Sequence, residues 1–569
     1  MLINIYLCAV RKVQKKTTYL LPIFLVLAGS LFFIKLQAQE QQGDTLKPIS
    51  NFRSWYQNLL PTPYTGIKNK LRMPMAVGYY DFDDNIRDLQ LLGKLQPEQS
   101  LTIRPYILTP KLGYDSILAM IDPEFENHGH LVERKHSDIQ LLPINFLQKY
   151  NSHHPYGWND GPLSFSKGYQ FVGSGGVYMR WRNIHLTLRP EFFKTASDPY
   201  ETSATWGQRT SALSKLTLGQ SSLRVDFGPL SVGVSTQNLW LGPGRYSSLL
   251  MSNNAAGFNH FNIQTNRPIK TPLGSFQLNI IGGTLNYNKR QGFENANLKL
   301  NGNTEHTNYL SLLSISYSPV FFKNFYLTAN RAFTLPTQEK PSSKLKEYYL
   351  IALKPLFRND YQDNALPIDQ VLSGSAKYVF PNQHAEVYFE YGWNDGSSNS
   401  RDLILDMSHS AASVYGLKKI QYLSEKTYLN FEAEATQMSQ RPSYLQRQAG
   451  NWYVHENGGY INENQILGAG SGWGNDVQTI ALSLNKGWAK YGINFQHISH
   501  NPEGVTNVLA YDGGAPYWDD YAYGIQLKQK YRHFLFNLNI EWVNSKNYLW
   551  QNNNKVSNVY VFLNTIYLW

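Results

Sequence analysis

FLFNLNIEW, residues 534–542, decides how this chain is read. Phe534, Phe536, Leu538, Ile540 and Trp542 take alternate positions, and Leu535, Asn537, Asn539 and Glu541 take the rest. Successive side chains of a β-strand point to opposite faces, so this stretch has one apolar and one largely polar face. The pattern recurs. In His384–Trp393, Ala385, Val387, Phe389, Tyr391 and Trp393 oppose His384, Glu386, Tyr388 and Glu390. In Leu429–Ala435, Leu429, Phe431, Ala433 and Ala435 oppose Asn430, Glu432 and Glu434. Phe276, Leu278 and Ile280 oppose Gln277 and Asn279. A period of two argues for strands, and few helical stretches interrupt it after about residue 165.

Two architectures use such strands. A soluble sandwich turns the apolar face to a core, whereas a transmembrane barrel turns it to lipid and lines a lumen with the polar face. Three features favour the barrel. Many strands finish in Trp or Tyr, as interfacial aromatic girdles do. The polar faces carry Glu, His, Arg and Asn, which suit a wet interior. The chain also ends in NVYVFLNTIYLW, where Trp569, Tyr567, Thr565, Leu563, Val561 and Val559 share a face. A terminal aromatic with a second one two places earlier resembles the signal read by the outer-membrane assembly machinery. An open sheet edge in hydrocarbon would cost several kcal/mol per unpaired backbone group, so the sheet must close. At about 10 residues per strand plus turns, the length allows about 16–18 antiparallel strands. The expected fold is therefore all-β, an outer-membrane barrel over 98–569.

The N-terminus sets the compartment. Arg11, Lys12, Lys15 and Lys16 precede an apolar run from Tyr19 to Ile34, and Ala38 follows. This is the layout of a signal peptide over 1–38, and the run is shorter than the roughly 20 residues of a membrane helix. The single cysteine, Cys8, lies within it, which leaves the mature chain without disulfides, thiolate metal sites or thiol nucleophiles. The formal charge of +11 falls to +6 once Lys35 and the other four leader cations are removed. Without a long basic run, nucleic acid is not an expected partner. Residues 39–97, with Pro48, Pro61, Pro63 and Pro74, read as a small N-terminal periplasmic segment with a short helix over Leu89–Leu95. Alternation begins near Leu101 and Ile103.

Against this background, LWLGPGRYSSLLMSNNAAGFNH, residues 239–260, stands out. It lacks the G-x-x-x-x-G-K-[ST] spacing of a phosphate loop, and Pro243 removes an N–H such a cradle would use. No G-x-S-x-G surrounds Ser247, Ser248 or Ser252. Elsewhere, Gly-Trp-Asn-Asp-Gly occurs at 157–161 and 392–396, and GWGND at 472–476. Asn-Asp-Gly is turn chemistry. A Trp ahead of it is either a membrane-boundary anchor or a ring on which a sugar stacks.

Catalytic and metal chemistry finds little support. His497, Ser499 and Asn501 have the residue types of a barrel hydrolase, but His497 and Ser499 sit about 7 Å apart along one strand face. Asp519 and Asp520, as sequence neighbours, point to opposite faces and cannot act as a glycosidase pair. His128 and His130 with Glu124, Glu126 and Glu133 do not match a metal-site spacing. Asp81, Asp83, Asp84 and Asn85 lack the glycine and distal Glu of a calcium loop. No cofactor and no metal is expected.

Asp226–Ile269, which contains the 239–260 stretch, resembles the signature region of the capsule assembly Wzi family, as does NSHHPYGWNDGPLSFSKGYQFVGSGGVYMRWRNIHLTLRPEFF, residues 151–193. The likeness is to the Bacteroidetes-type branch and extends from about residue 100 to 569. It implies an outer-membrane barrel of about 18 strands that binds or retains capsular or other exported surface polysaccharide, lectin-like and without catalysis. Its partners would be that polysaccharide, outer-membrane lipid and the assembly machinery. The alternatives are a porin or exporter and, behind that, a barrel hydrolase. Sugars present C–H faces to aromatic rings and hydroxyl pairs to amides and carboxylates. The candidate contacts are Trp240, Arg245, Asn253 and Asn254, followed by Trp393, Asp395, Trp518, Asp519 and Asp520.

Overall fold

The structure is a computed structural model that describes residues 82–95, 100–106, 120–122, 128–134, 136–202, 212–286, 307–337, 350–353, 369–394, 410–424, 426–439, 452–453, 459–500 and 516–569. Residues 1–38, the expected leader, and residues 39–81 lie outside these. The described strands form a closed antiparallel barrel of 18 staves. Its first stave is Ser137–Asn151 and its last Lys555–Tyr567, and the two pair from Tyr560↔Asn151 to Tyr567↔Ile144 to close the wall. Some staves are broken: Ile184–Leu188 is continued by Glu191–Lys194, and Ser214–Thr217 by Ser222–Phe227.

Short turns such as Trp181–Ile184, Phe227–Leu230 and Tyr531–Phe534 gather at one end with the C-terminal strand end, and long connections gather at the other. Short turns face the periplasm in barrels of this kind. The alternation keeps the apolar residues outside. Ile493, Ile525, Ile540 and Val234 are exposed on the outer face, with Trp181, Tyr531 and Trp542 near its rims, while Lys149, Glu386, Glu390, Lys418, Glu432 and Glu434 are buried on the inner face. No helix among the described residues is long and apolar enough to cross a membrane.

The lumen is filled by the chain itself. Helix α1, Phe82–Leu91, lies inside the short-turn end rather than in a separate segment beneath it, and it starts earlier than the sequence suggests. Asp83 and Asp84 occupy its first turn, where the helix dipole favours negative charge. Arg87 pairs with Glu386, Asp88 with Lys418 at 2.5 Å, and Lys377 donates to Gln90 at 3.0 Å. Ile86 and Leu89 pack with Leu142, Tyr178, Leu535 and Ile566, while Leu91 packs with Tyr326, Val379 and Ile420. The helix thus touches walls far apart around the barrel.

The alternation near Leu101 is not the start of the wall. Ile103–Arg104 pairs with Trp240–Leu241 inside the lumen. The inward hydroxyls Ser316 and Thr328 meet Thr102 Oγ1 at 3.1 and 2.8 Å, and Ser100 donates to Gln277 at 2.7 Å. This segment is extended because its polar atoms are satisfied by a polar wall, not because it belongs to that wall.

Candidate functional site

The 239–260 segment leaves the wall after Ser235 and returns at His260. Between them it folds into the lumen against Asp369–Phe380, Ala385–Asn394, Ala411–Tyr422 and Thr427–Gln437. Leu241 N–H donates to the Met251 carbonyl at 2.9 Å, and Gly242 N–H to that of Thr102 at 2.8 Å. Gly244 permits the tightest turn, since a Cβ there would stand 1.9 Å from the Ser247 carbonyl oxygen. The N–H groups of Arg245, Tyr246 and Ser247 then converge on the Glu434 carboxylate at 2.6, 3.0 and 2.7 Å. Tyr388 adds its hydroxyl at 2.6 Å. Successive N–H groups curled round a point form an anion nest. Here the anion is the protein's own Glu434.

Arg245 looks unpaired in the sequence but is caged in the structure. Its Nε donates to both Asp84 oxygens at 2.9 and 3.0 Å, its fork reaches Glu432, and its guanidinium lies 4.7 Å over the Tyr246 ring. Burial opposes the charge on Asp84, but Arg245 outweighs it and holds the carboxyl well below the ordinary range. Leu249 N–H donates to Glu390 at 3.3 Å, and Tyr453 Oη to the Leu249 carbonyl at 2.7 Å.

Between this inward mass and the opposite wall lies a cavity of about 250 Å³. Trp158, Asn159, Trp240, Arg245, Tyr246 and Asn253 line it from the inward segments, and Asp83, Asp84 and Arg104 from the N-terminal part. Lys490, Gln526, Asn537, Asn539, Tyr560 and Phe562 line it from the wall. Arg104 lies 4.7 Å over the Trp240 ring. Trp158 Nε1 and Asn159 Nδ2 donate to the Tyr246 carbonyl at 3.3 and 2.8 Å. Beside them Lys149 and Asp160 pair at 2.5 Å, and burial raises the Asp160 carboxyl against the pull of Lys149.

Of the expected contact residues, Trp240, Arg245 and Asn253 meet on this cavity. Asn254 does not line it; its amide bonds the Ile466 carbonyl at 3.0 Å and the Asn159 N–H at 3.3 Å. Trp393 continues the outward alternation of Phe389 and Tyr391, 4.9 Å from the latter, and faces lipid. Asp395 lies outside the described residues. Trp518 is fully buried near the long-loop rim, stacked 3.7 Å from His500 and edge-on to Tyr548 and Trp550, so no sugar ring reaches it there. Asp519 pairs outward with His497 at 3.2 Å and Asp520 inward with His500 at 2.7 Å, on opposite faces as sequence neighbours must be.

Trp158, Asn159, Asp84, Arg104 and Tyr560 are lining residues that the sequence did not single out as contacts. Trp158 had a signal, since it sits in the repeated Gly-Trp-Asn-Asp-Gly. The three copies of that string do different work. Trp158 faces the lumen cavity, Trp393 faces lipid, and Asp476 of the third copy caps the N–H groups of Met438 and Ser439 at 2.9 Å each. Among the described residues no cluster of His, Asp or Glu is arranged to hold a metal.

An apolar exterior with aromatic rims and a polar interior, into which its own helix and loop fold, define an outer-membrane β-barrel. The chain belongs to the capsule assembly protein Wzi family, whose model matches residues 157–500. Among solved structures it is similar to Wzi of Escherichia coli, an outer-membrane protein involved in group 1 capsule assembly and described as a carbohydrate-binding β-barrel. The two share 13% identity and a TM-score of 0.59 over 87% of this chain and 100% of that one. OprD of Pseudomonas aeruginosa matches at 8% identity and a TM-score of 0.38 over 77% of this chain and 96% of its own. OccAB3 of Acinetobacter baumannii matches at 11% and 0.37 over 76% and 98%. The Wzi likeness shows the fold. No curated protein sequence matches the chain.

Proposed function

We propose that this barrel binds exported surface polysaccharide, capsular or related, and holds it at the cell surface as a lectin rather than as an enzyme or a pore. The observation that carries the reading is the composition of the lumen cavity. Trp158 and Tyr246 offer half-buried rings for sugar C–H surfaces, Trp240 and Tyr560 line the cavity as buried rings, and Asn159, Asn253, Asn537 and Asn539 bring amides for hydroxyls. Its volume lies just under the roughly 300–1,000 Å³ of drug-sized sites, which suits one sugar residue rather than a threaded polymer. Trp240, Arg245 and Asn253 are the contact residues we assign, with Trp158 and Asn159 added. The family's place in capsule assembly agrees with this reading.

A porin reading sits poorly with a lumen spanned by α1 and the 239–260 segment. A hydrolase reading sits poorly with Ser499 and His497 both bonding Asp519, which places the acid, not the base, beside the hydroxyl. The test is binding of the detergent-purified protein to a glycan array, combined with retention of surface polysaccharide in a deletion strain. Binding that Trp240→Ala reduces at least tenfold, with polysaccharide shed from the deletion strain, is expected. No glycan bound and unchanged retention would overturn the reading.

A further inference from the structure

One sector of the wall is cut short. Leu230–Ser235 has six residues, which rise about 20 Å along the strand and about 15 Å across a bilayer at the usual tilt. A barrel's apolar band is roughly 25 Å tall. Above Ser235 and His260 both strands have left for the lumen, yet the flanking stave continues upward with Leu216 and Leu218, 70% and 59% exposed. Ser214–Thr217 pairs with Glu191–Lys194 on one side and, among the described residues, with no strand on the other. In hydrocarbon such an edge costs several kcal/mol per unpaired group. Among the described residues the result is a notch in the outer-leaflet half of the wall.

A hairpin from across the barrel, Ile461–Asn462 with Gln465–Ile466, closes the notch. Glu463 N–H donates to the Asn286 carbonyl at 2.7 Å, and Asn286 N–H to Asn462 Oδ1 at 3.0 Å, so the hairpin stands in for the missing strand on that side. On the other side the half-exposed ion pair of Lys215 with Glu463 at 3.4 Å links it to the Ser214–Thr217 strand. Behind Ser214–Thr217 the inner face is apolar, with Phe193, Val172, Leu147 and Leu213 in one cluster. Phe562 belongs both to that cluster and to the lining of the lumen cavity.

We propose that the notch seats a lipid-linked saccharide. Its acyl chains stay in the outer leaflet against Leu216 and Leu218, and its sugar passes beneath the hairpin toward the cavity. The inference rests on the reading of the cavity as a sugar site. The half-exposed ion pair is the contact that yields, because pairs at such exposure contribute little.

The test uses Lys215→Cys with Glu463→Cys, Cys8 being the only other cysteine of the sequence. One sample is bridged with a short bis-maleimide and the other capped at both thiols with N-ethylmaleimide. Each receives fluorescent lipopolysaccharide or its delipidated polysaccharide. The capped form is expected to bind lipopolysaccharide at least tenfold tighter than the bridged form, while both bind the delipidated chain alike. Equal lipopolysaccharide binding by the two forms, with the delipidated chain still bound, overturns the lateral seat and leaves the lectin reading standing. Failure of both forms to bind either probe overturns both readings. As a second measurement on the otherwise unaltered chain, a benzoylphenylalanine photo-crosslinker at position 216 is expected to capture lipopolysaccharide several-fold more than one at position 480, an outward-facing site on the far wall. Equal capture overturns the seat.

Discussion

Glu434 and His154 show how far a single residue could be read in advance. Alternation put Glu434 on the inner face, but nothing local said that its partners are three consecutive N–H groups 187–189 residues earlier. A carboxylate's face is written in its own strand, and its ligands are written elsewhere. Arg245 is the mirror case, since the residues that neutralise it come from α1 and a distant strand. His154, in the connection after the first stave, is buried beside Tyr548, His153, His500 and Asp520. Burial pushes its imidazole down to about 4 from an ordinary 6.5, only partly offset by Asp520. As pH falls below 6.5 the unfolded chain takes up a proton that the folded one refuses. Stability present above 6.5 is therefore lost progressively down to about pH 4, by about 3 kcal/mol at this site. Thermal unfolding in detergent should show that loss, and His154→Gln should flatten the difference between pH 7 and pH 4. An unchanged slope in the variant would refute the assignment.

Elements were legible when they had a period and obscure when they did not. The wall strands announce themselves because lipid demands one apolar face. The sequence reading starts helix α1 too late, at Leu89–Leu95, because the first turns are dominated by Asp83, Asp84, Arg87 and Asp88, whose charged partners lie in the wall, and only Ile86 and Leu89 mark the apolar side there. The 239–260 segment was recognisable as special, yet its role as an inward loop depends on Glu434. Removing that carboxylate by Glu434→Ala leaves the Arg245, Tyr246 and Ser247 N–H groups without their acceptor. Hydrogen bonds to a buried charge contribute about 1.5–3 kcal/mol each, and together the loss should be about 3 kcal/mol or more. Hydrogen exchange at 244–248 should accelerate by at least a hundredfold while the wall strands stay protected. Protection retained in the variant would mean that the nest does not hold the loop.

At the scale of the molecule, closure and the count of about 16–18 strands followed from chain length and the cost of an open edge, and 18 staves are found. The filled lumen did not follow, because a polar inner face suits water as well as it suits a plug. The purified barrel should show no steady single-channel conductance in planar bilayers, whereas replacing Gly242–Ser248 by a short Gly-Ser link should produce discrete openings. A large steady conductance in the unaltered protein would contradict the plugged reading. The long reach of the plug contacts also has a kinetic side. Arg87 and Glu386 are 299 residues apart, and contacts of such separation form slowly because a long loop must close first. The N-terminal helix is made early and must wait for its charged wall. During that wait, Asp84, Arg87 and Asp88 keep it soluble without a partner, so the same side chains that later seal the barrel first protect the unassembled chain from aggregation.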